Sequence, residues 1–478
     1  MTTLLTIIVA VIGFGILVFF HEGGHFIVAK LFGVKVETFA IGWGPKLIGF
    51  TRGGTSYQIS VFPIGGFCKF KGDEAIDESD ESVRDPDSFY GTASWKRLLI
   101  AFAGPFMNFL IAVIMFSCLA MCSTDRQRLD SRILLIDDVQ SKFGEVTERS
   151  PASEGGLLSG DKIVAINGKP IHYYDELTKK MIYNGKKPVV FTVERDAQIE
   201  SVTVYPRWDA SQMKAVVGVY YWLSPTVADA ANNKLAKYMT LADGDIIVSI
   251  NGDTENITDV YINQYLQHHF GESMTAMFGI NRGDTYFEAP VVFDEINHII
   301  GQDDCWLNFA VPIVHTPGKL PHAALWDGMC QSGDVIAMSA IGLHSLIFMP
   351  KKNVQNQVGG PIRIGAMIGE ATISGFRNNL ADGVRNFTYI ISVISLALSF
   401  FNLLPFPAVD GGHIVLCLYE MIARRKLKLK VLYIINLAGF AVLITLSIVI
   451  AYIDVSNLIK KLKCKKEILL LQNLFFLL

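Results

Sequence analysis

The sequence predicts a polytopic α-helical membrane protein carrying a large, β-rich soluble insert. Three observations predict it. A mean hydropathy of +0.35 and 51% hydrophobic residues in a chain of 478 are too apolar for an ordinary soluble protein. Four separate apolar segments are each long enough to cross a bilayer, which takes about 20 residues. Between the second and third lies a long polar stretch with a repeated strand-and-turn pattern. The formal net charge of -3 offers no basic field for nucleic acid.

The first apolar segment runs from about Leu4 to Phe32, the second from Leu98 to Cys122, the third from about Phe387 to Leu404 and the fourth from Val431 to Ile453. The start has no basic region and no small-residue cleavage site, so it reads as a retained span and not a signal peptide. Val335 to Met349 is shorter, contains His344 and is followed by Lys351; it reads as an interfacial helix. Lys and Arg crowd the loop after the first span and the loop between the third and fourth. An even-numbered topology puts both loops on one side, expected to be cytoplasmic, and the polar middle outside. The Lys-rich tail from Lys460 to Lys466 disagrees with that orientation and is expected along the membrane surface.

In the first loop, Tyr57 to Phe70 reads as a strand, a Pro63-Ile64-Gly65-Gly66 turn and a second strand. Asp73 to Asp87 reads as a solvated acidic loop. In the polar middle, Gly160-Asp161-Lys162-Ile163-Val164-Ala165-Ile166-Asn167-Gly168 recurs as Gly244-Asp245-Ile246-Ile247-Val248-Ser249-Ile250-Asn251-Gly252. The repeat fits two small tandem domains. The first copy, with Ser150 to Leu157 upstream, resembles a PDZ domain; the second lacks a clean upstream match. Of seven cysteines, Cys118, Cys122 and Cys417 read as apolar packing; Cys305 and Cys330 could pair only if their region is extracytoplasmic, and free thiols are the favoured reading.

The chemistry is concentrated in His21-Glu22-Gly23-Gly24-His25, at the end of an apolar run. Positions i and i+4 share one helix face, so both imidazoles converge as zinc ligands, and Glu22 beside them suits a general base. Glu and His inside a membrane helix are costly and functional by default. Gly23 and Gly24 leave the helix bare for a substrate or a second helix. A catalytic zinc site takes three protein ligands. The candidate third is Asp410, in the proline-broken stretch Asn402 to His413, with His413 as the alternative. The other histidines, His172, His268, His269 and His298, read as ordinary surface or core residues.

With these motifs, and with Trp95-Lys96-Arg97, Gly104-Pro105-Phe106-Met107-Asn108 and Gly359-Gly360-Pro361-Ile362, the chain resembles the site-2 protease family of intramembrane zinc metalloproteases, closest to its RseP-type members. The resemblance implies zinc held by His21, His25 and Asp410, with Glu22 as base. It implies substrate binding by Asn402, Pro405, Gly65 and Gly66, and less firmly by Asn108; an amide packing between helices is the other reading for both asparagines. The 57–70 hairpin would be membrane-associated and offer a substrate an edge.

The implied plan is a first transmembrane helix over 1–33, a cytoplasmic loop with hairpin over 34–97 and a second helix over 98–122. PDZ-like domains follow at 123–222 and 223–318, then an amphipathic segment at 319–384. A third helix spans 385–407, the Asp-Gly motif and loop 408–430, a fourth helix 431–453 and a tail 454–478. The implied setting is a bacterial inner membrane with periplasmic PDZ-like domains that exclude untrimmed proteins. The implied partners are the lipid bilayer and single-pass transmembrane substrates, such as a trimmed anti-sigma factor, and signal-peptide remnants. Two other functions compete: a non-enzymatic scaffold using PDZ-like domains, and a membrane zinc sensor.

Overall fold

The computed structural model describes residues 2–475 except 74–84, 145–147, 185–186, 210–213 and 349–359. The chain divides into two compact units, Met1–Ser123 with Pro317–Leu478, and Thr124–Thr316.

The first unit is built on long apolar helices. Among the described residues, four are long and apolar enough to cross a membrane: Leu4–Leu31 within helix α1 (Thr2–Leu31), α2 (Ser94–Met121), Leu380–Asn402 and Leu429–Ile453. Among them lie α3 (Pro321–Phe348), α4 (Pro361–Asn378) and α6 (Asp410–Ala423); the third span is α5 (Leu380–Asn402) and the fourth lies within α7 (Leu429–Phe475). The Lys-rich tail therefore continues the last helix as far as Phe475.

Helices meet where side chains are small, since close backbone approach is what holds membrane helices together. A Cβ on Gly24 of α1 would stand 2.3 Å from the Ala103 carbonyl oxygen of α2. Ser395 and Ser399 of α5 donate to the backbone oxygens of Asn108 and Pro105 on α2, at 2.9 and 2.7 Å. α3 runs antiparallel along α2: Gly328 sits against Val113 and Ser117, and Val335 and Ile336 pack on Ala112 and Phe116. α4 runs antiparallel along α1, with Gly369 against Thr6 and Gly365 against Ala10 and Phe14.

The expected interfacial run is thus, from Val335 to Phe348, the latter half of a 28-residue helix packed on a span; Met349 lies outside the described residues. Asp327 and Asp334 lower the hydropathy of α3, while its small face, Gly328 and Ser332, is what meets α2. Cys118 and Cys122, expected in packing, are exposed, and Cys417 is buried.

The first loop differs from expectation. Strands β1 (Val36–Arg52) and β2 (Thr55–Phe70) turn at Gly53-Gly54, both at positive φ, and not at Pro63 to Gly66. Each strand bends, so Thr38 to Ile41 pairs on one side with Ser56 to Ile59 and on the other with Gly66 to Lys69. The Pro-Ile-Gly-Gly stretch is the bend of β2, and Gly65 has φ +76° there. The last segment of β2 is left at the sheet edge. Trp43, Leu47, Ile48, Phe50 and Phe62 are exposed on this sheet. Most of the acidic loop lies outside the described residues.

In the second unit the two copies of the sequence pattern make matching contacts. Asp161 receives Arg195 at 2.6 Å and Asp245 receives Arg282 at 2.8 Å. Asn167 and Asn251 both have positive φ, and each accepts from a neighbouring strand amide, Val190 or Met277. A short helix precedes each copy, Pro151–Gly155 capped by Ser150 and Lys234–Tyr238 capped by Asn233. The two copies have separate cores, one around Phe191 and one around Phe278. Ile133 and Leu135 enter the first while Leu134 enters the second, because alternate side chains of a strand face opposite ways. Cys305 and Cys330 are free thiols, not a pair.

Candidate metal centre

α1 runs without a break through His21 and His25, so the two rings lie on one face with their Nε2 atoms 3.3 Å apart. The chain breaks after α5 at Leu403 to Val409, and α6 starts on Asp410. The break is tight. A Cβ on Gly411 would stand 2.1 Å from the Leu404 oxygen, and one on Gly412 would stand 2.3 Å from that of Phe406. Ala408 takes φ +72°, a strained value for a residue with a side chain. This turn aims Asp410 back at the histidines. Its Oδ2 lies 3.2 Å from His21 Nε2 and its Oδ1 3.5 Å from His25 Nε2.

Zinc is the metal to test against this cluster. Ligands about 2.0–2.1 Å from a tetrahedral zinc stand about 3.3 Å from one another, which matches these separations. The surroundings fit as well. A Cβ on Gly104 of α2 would lie 2.2 Å from His25 Nε2 and 2.9 Å from His21 Cε1, so any side chain there would fill the space between the rings. His25 Nδ1–H donates to the Ile100 carbonyl at 2.7 Å, leaving Nε2 free to coordinate. The Asn108 amide lies 3.2 Å from His21 Nδ1, and its Oδ1 is buried without a partner. A half-turn of that amide lets Oδ1 accept from His21 Nδ1–H, the tautomer that frees His21 Nε2.

Glu22 lines a cavity of about 410 Å³ together with His21, His25 and Asp410, and the Cys68 amide hydrogen-bonds its carboxylate. The cavity runs along the β2 edge at Gly66, Phe67 and Cys68, and His413 and Asn436 complete its wall. A Cβ on Gly66 would meet Val18 at 2.3 Å, so glycine lets the edge lie against α1. Gly24 is covered by α2, whereas Gly23 has nothing within 4 Å.

The residues named from the sequence fall into two groups. His21, Glu22, His25, Asp410 and Gly66 share the cavity. The other three lie off that wall. Gly65 sits against Trp43, Asn402 places its amide nitrogen 3.4 Å from His21 Nε2, and Pro405 belongs to the break. Asn108 stands behind His21, not in the cavity. Sequence reasoning missed the wall residues Cys68, Tyr90 and Asn436. An amide inside the fourth span was the signal that could have found Asn436. His268 and His269, read as ordinary, gather with Glu272 into a second cluster, on the second unit. There the His269 ring already pairs with Glu272 at 2.6 Å.

The sequence profile described as Peptidase family M50 matches residues 9–446. A Treponema pallidum protein with a zinc-metalloprotease name is 28% identical over 443 residues, covering 92% of this chain and 96% of its own length. A similarly named Clostridium perfringens protein is 29% identical, covering 94% and 98%. One from Borreliella burgdorferi is 28% identical, covering 89% and 93%.

Proposed function

The chain belongs to peptidase family M50, whose members include zinc metalloendopeptidases of the membrane, and we propose that it cuts peptide bonds within the transmembrane segments of single-pass proteins. The observation that carries this reading is the spacing of the His21, His25 and Asp410 ligand atoms, 3.2–3.5 Å apart, beside Glu22 in one cavity. In this reading those three residues hold zinc. Zinc supplies Lewis acidity, which acidifies water and polarises a carbonyl.

The chain's own residues do the rest. Glu22, oriented by the Cys68 amide, takes a proton from the attacking water and returns it to the departing amine. A helical substrate hides its carbonyls in its own hydrogen bonds and must unwind. The edge segment of β2, from Gly66 to Phe70, offers backbone partners to the extended form. Gly66 and Asn402 border the reacting carbonyl, while Gly65 and Pro405 shape the chain around them.

The suitable substrates are segments already trimmed outside, such as a membrane-bound anti-sigma factor, and signal-peptide remnants. The location is a bacterial inner membrane, with residues 124–316 as two PDZ-like domains in the periplasm. The experiment is Glu22→Gln in the full-length protein. Zinc content should stay and cleavage of a model transmembrane substrate should vanish, because the ligands survive and the proton acceptor does not. Near-normal proteolysis by that variant would overturn the mechanism.

A further inference from the structure

The last candidate span, Leu429–Ile453, is the least covered by the rest of the protein among the four, with 6% of its most apolar stretch buried. Ile434 and Leu437 are 56% and 52% exposed. One face differs. Leu432, Asn436 and Gly439 lie at i, i+4 and i+7, one stripe of an α-helix. Leu432 is buried. Gly439 is pressed against Pro407, where a Cβ would stand 2.5 Å from both its Cβ and its carbonyl oxygen. The helix is thus seated on the very break that presents Asp410. Between these two packed positions, Asn436 is half-buried and lines the cavity shared by Glu22 and Asp410.

An amide in a membrane helix needs a polar partner, since lipid offers none. The same cavity carries the β2 edge at Gly66, Phe67 and Cys68. A strand laid on that edge uses its hydrogen-bonding groups alternately on its two sides. Half of its N–H and C=O groups pair with β2, and the other half point away from it. Those outward groups would be left unpaired in an apolar site unless something opposite β2 received them.

We propose that Asn436 is a substrate-binding residue: its side-chain amide pairs with the backbone of an extended peptide, on the side turned away from β2. An amide suits this role because it donates and accepts at once and so can meet one peptide unit in both senses. It also reads backbone and not side chain, so it would steady a strand without selecting its sequence. The inference rests on the proteolytic reading for its ligand, an unwound transmembrane segment.

The test uses the full-length protein with zinc bound and a single-pass transmembrane peptide of leucine and alanine with a central glycine pair. Asn436→Leu should leave zinc content unchanged and raise KM about tenfold, the size of one hydrogen bond lost to a buried backbone group, with kcat little altered. Asn436→Gln should recover part of the loss. A benzophenone amino acid in place of Asn436, in the Glu22→Gln background, should capture the peptide near its glycine pair. The same probe at lipid-facing Ile434 should not. Unchanged KM in Asn436→Leu, or equal capture from both positions, overturns the inference. Capture at position 436 by a protein whose wild-type form cuts nothing would support Asn436 and sink the proteolytic reading instead. Cleavage with no capture would do the reverse.

Discussion

Two buried polar clusters hold the same helix, α6, and they differ in what balances their charge. At its start, Asp410 meets His21 and His25 with ligand atoms 3.2–3.5 Å apart, beside a cavity of about 410 Å³. Near its other end, Glu420 meets Arg97 of α2, with side chains only 2% and 3% exposed. The Ser94 hydroxyl donates to Glu420 Oε2 at 2.6 Å, and the Leu427 amide donates to Oε1 at 3.0 Å. The Arg97 guanidinium lies 5.5 Å from the Tyr90 ring centroid. The neighbouring space is about 10 Å³, at the limit of one water molecule. The Glu420 cluster is closed and contains its own cation. The Asp410 cluster is open and gathers electron-pair donors around a gap that Gly104 keeps clear. A buried charge balanced within the fold is architecture, while one balanced only by an added cation is a site.

The largest effect should come from filling or emptying that gap. Asp410→Ala removes one of the three proposed ligands, and Gly104→Ala places a methyl group where the ring nitrogens converge. Both should cut bound zinc, measured by metal analysis of the purified protein, by at least the 10–100-fold typical of lost support around a metal, with proteolysis falling in step. Full zinc in Gly104→Ala would break the comparison, since the open gap would then not be the metal's place.

The Glu420 cluster should respond differently. Arg97→Ala leaves a buried carboxylate without its cation and should destabilise the protein by about 3–5 kcal/mol, read by thermal unfolding in detergent. Replacing both partners, Arg97→Met with Glu420→Leu, should recover most of that loss, because a buried ion pair is often replaceable by apolar packing. No such apolar exchange should restore the metal cluster. If the double replacement also releases zinc, the two ends of α6 are coupled and the distinction between them weakens.

The smallest effect lies in the second unit, Thr124–Thr316, where another buried carboxylate has only a neutral partner. Burial pushes the Asp259 carboxyl up to about 6, opposed by the Tyr221 hydroxyl that donates to it at 3.0 Å. An unfolded aspartate ionises near pH ~3.9. Between roughly pH 4 and 6 the folded unit therefore holds a proton that the unfolded chain has lost, so stability falls as pH rises through that window. Asp259→Asn should flatten this slope, a change of about 2–4 °C in the Tm of the second unit for each kcal/mol removed. An unchanged slope would show that this carboxyl titrates alike in both states.

Much of this was legible in order along the chain. The spans follow from runs of apolar residues, and the helical face of His21 and His25 follows from their spacing. The paired Gly-Asp and Asn-Gly signatures marked two segments with matching turns and ion pairs, because turn chemistry is local. The hairpin was misread because two turn signals compete there. Gly53-Gly54 closes the turn, while Pro63 to Gly66 bends the strand. α3 was under-read because its packing face is made of small residues, which a hydropathy average does not register.

The sequence by itself determined the elements, the chemical types at the site and the parallel course of the first and third spans that lets His21, His25 and Asp410 meet. These depend on composition and on spacing within one element. Only the tertiary structure decided that Gly104 is the wall between the two rings, that Asn108 stands behind His21, that Arg97 and Glu420 pair across 323 residues, and that Asn436 faces the cavity. Those contacts join elements far apart in the chain. Which residue of a helix faces which neighbour is set by how close the backbones come, a property of the packed pair and not of either sequence alone.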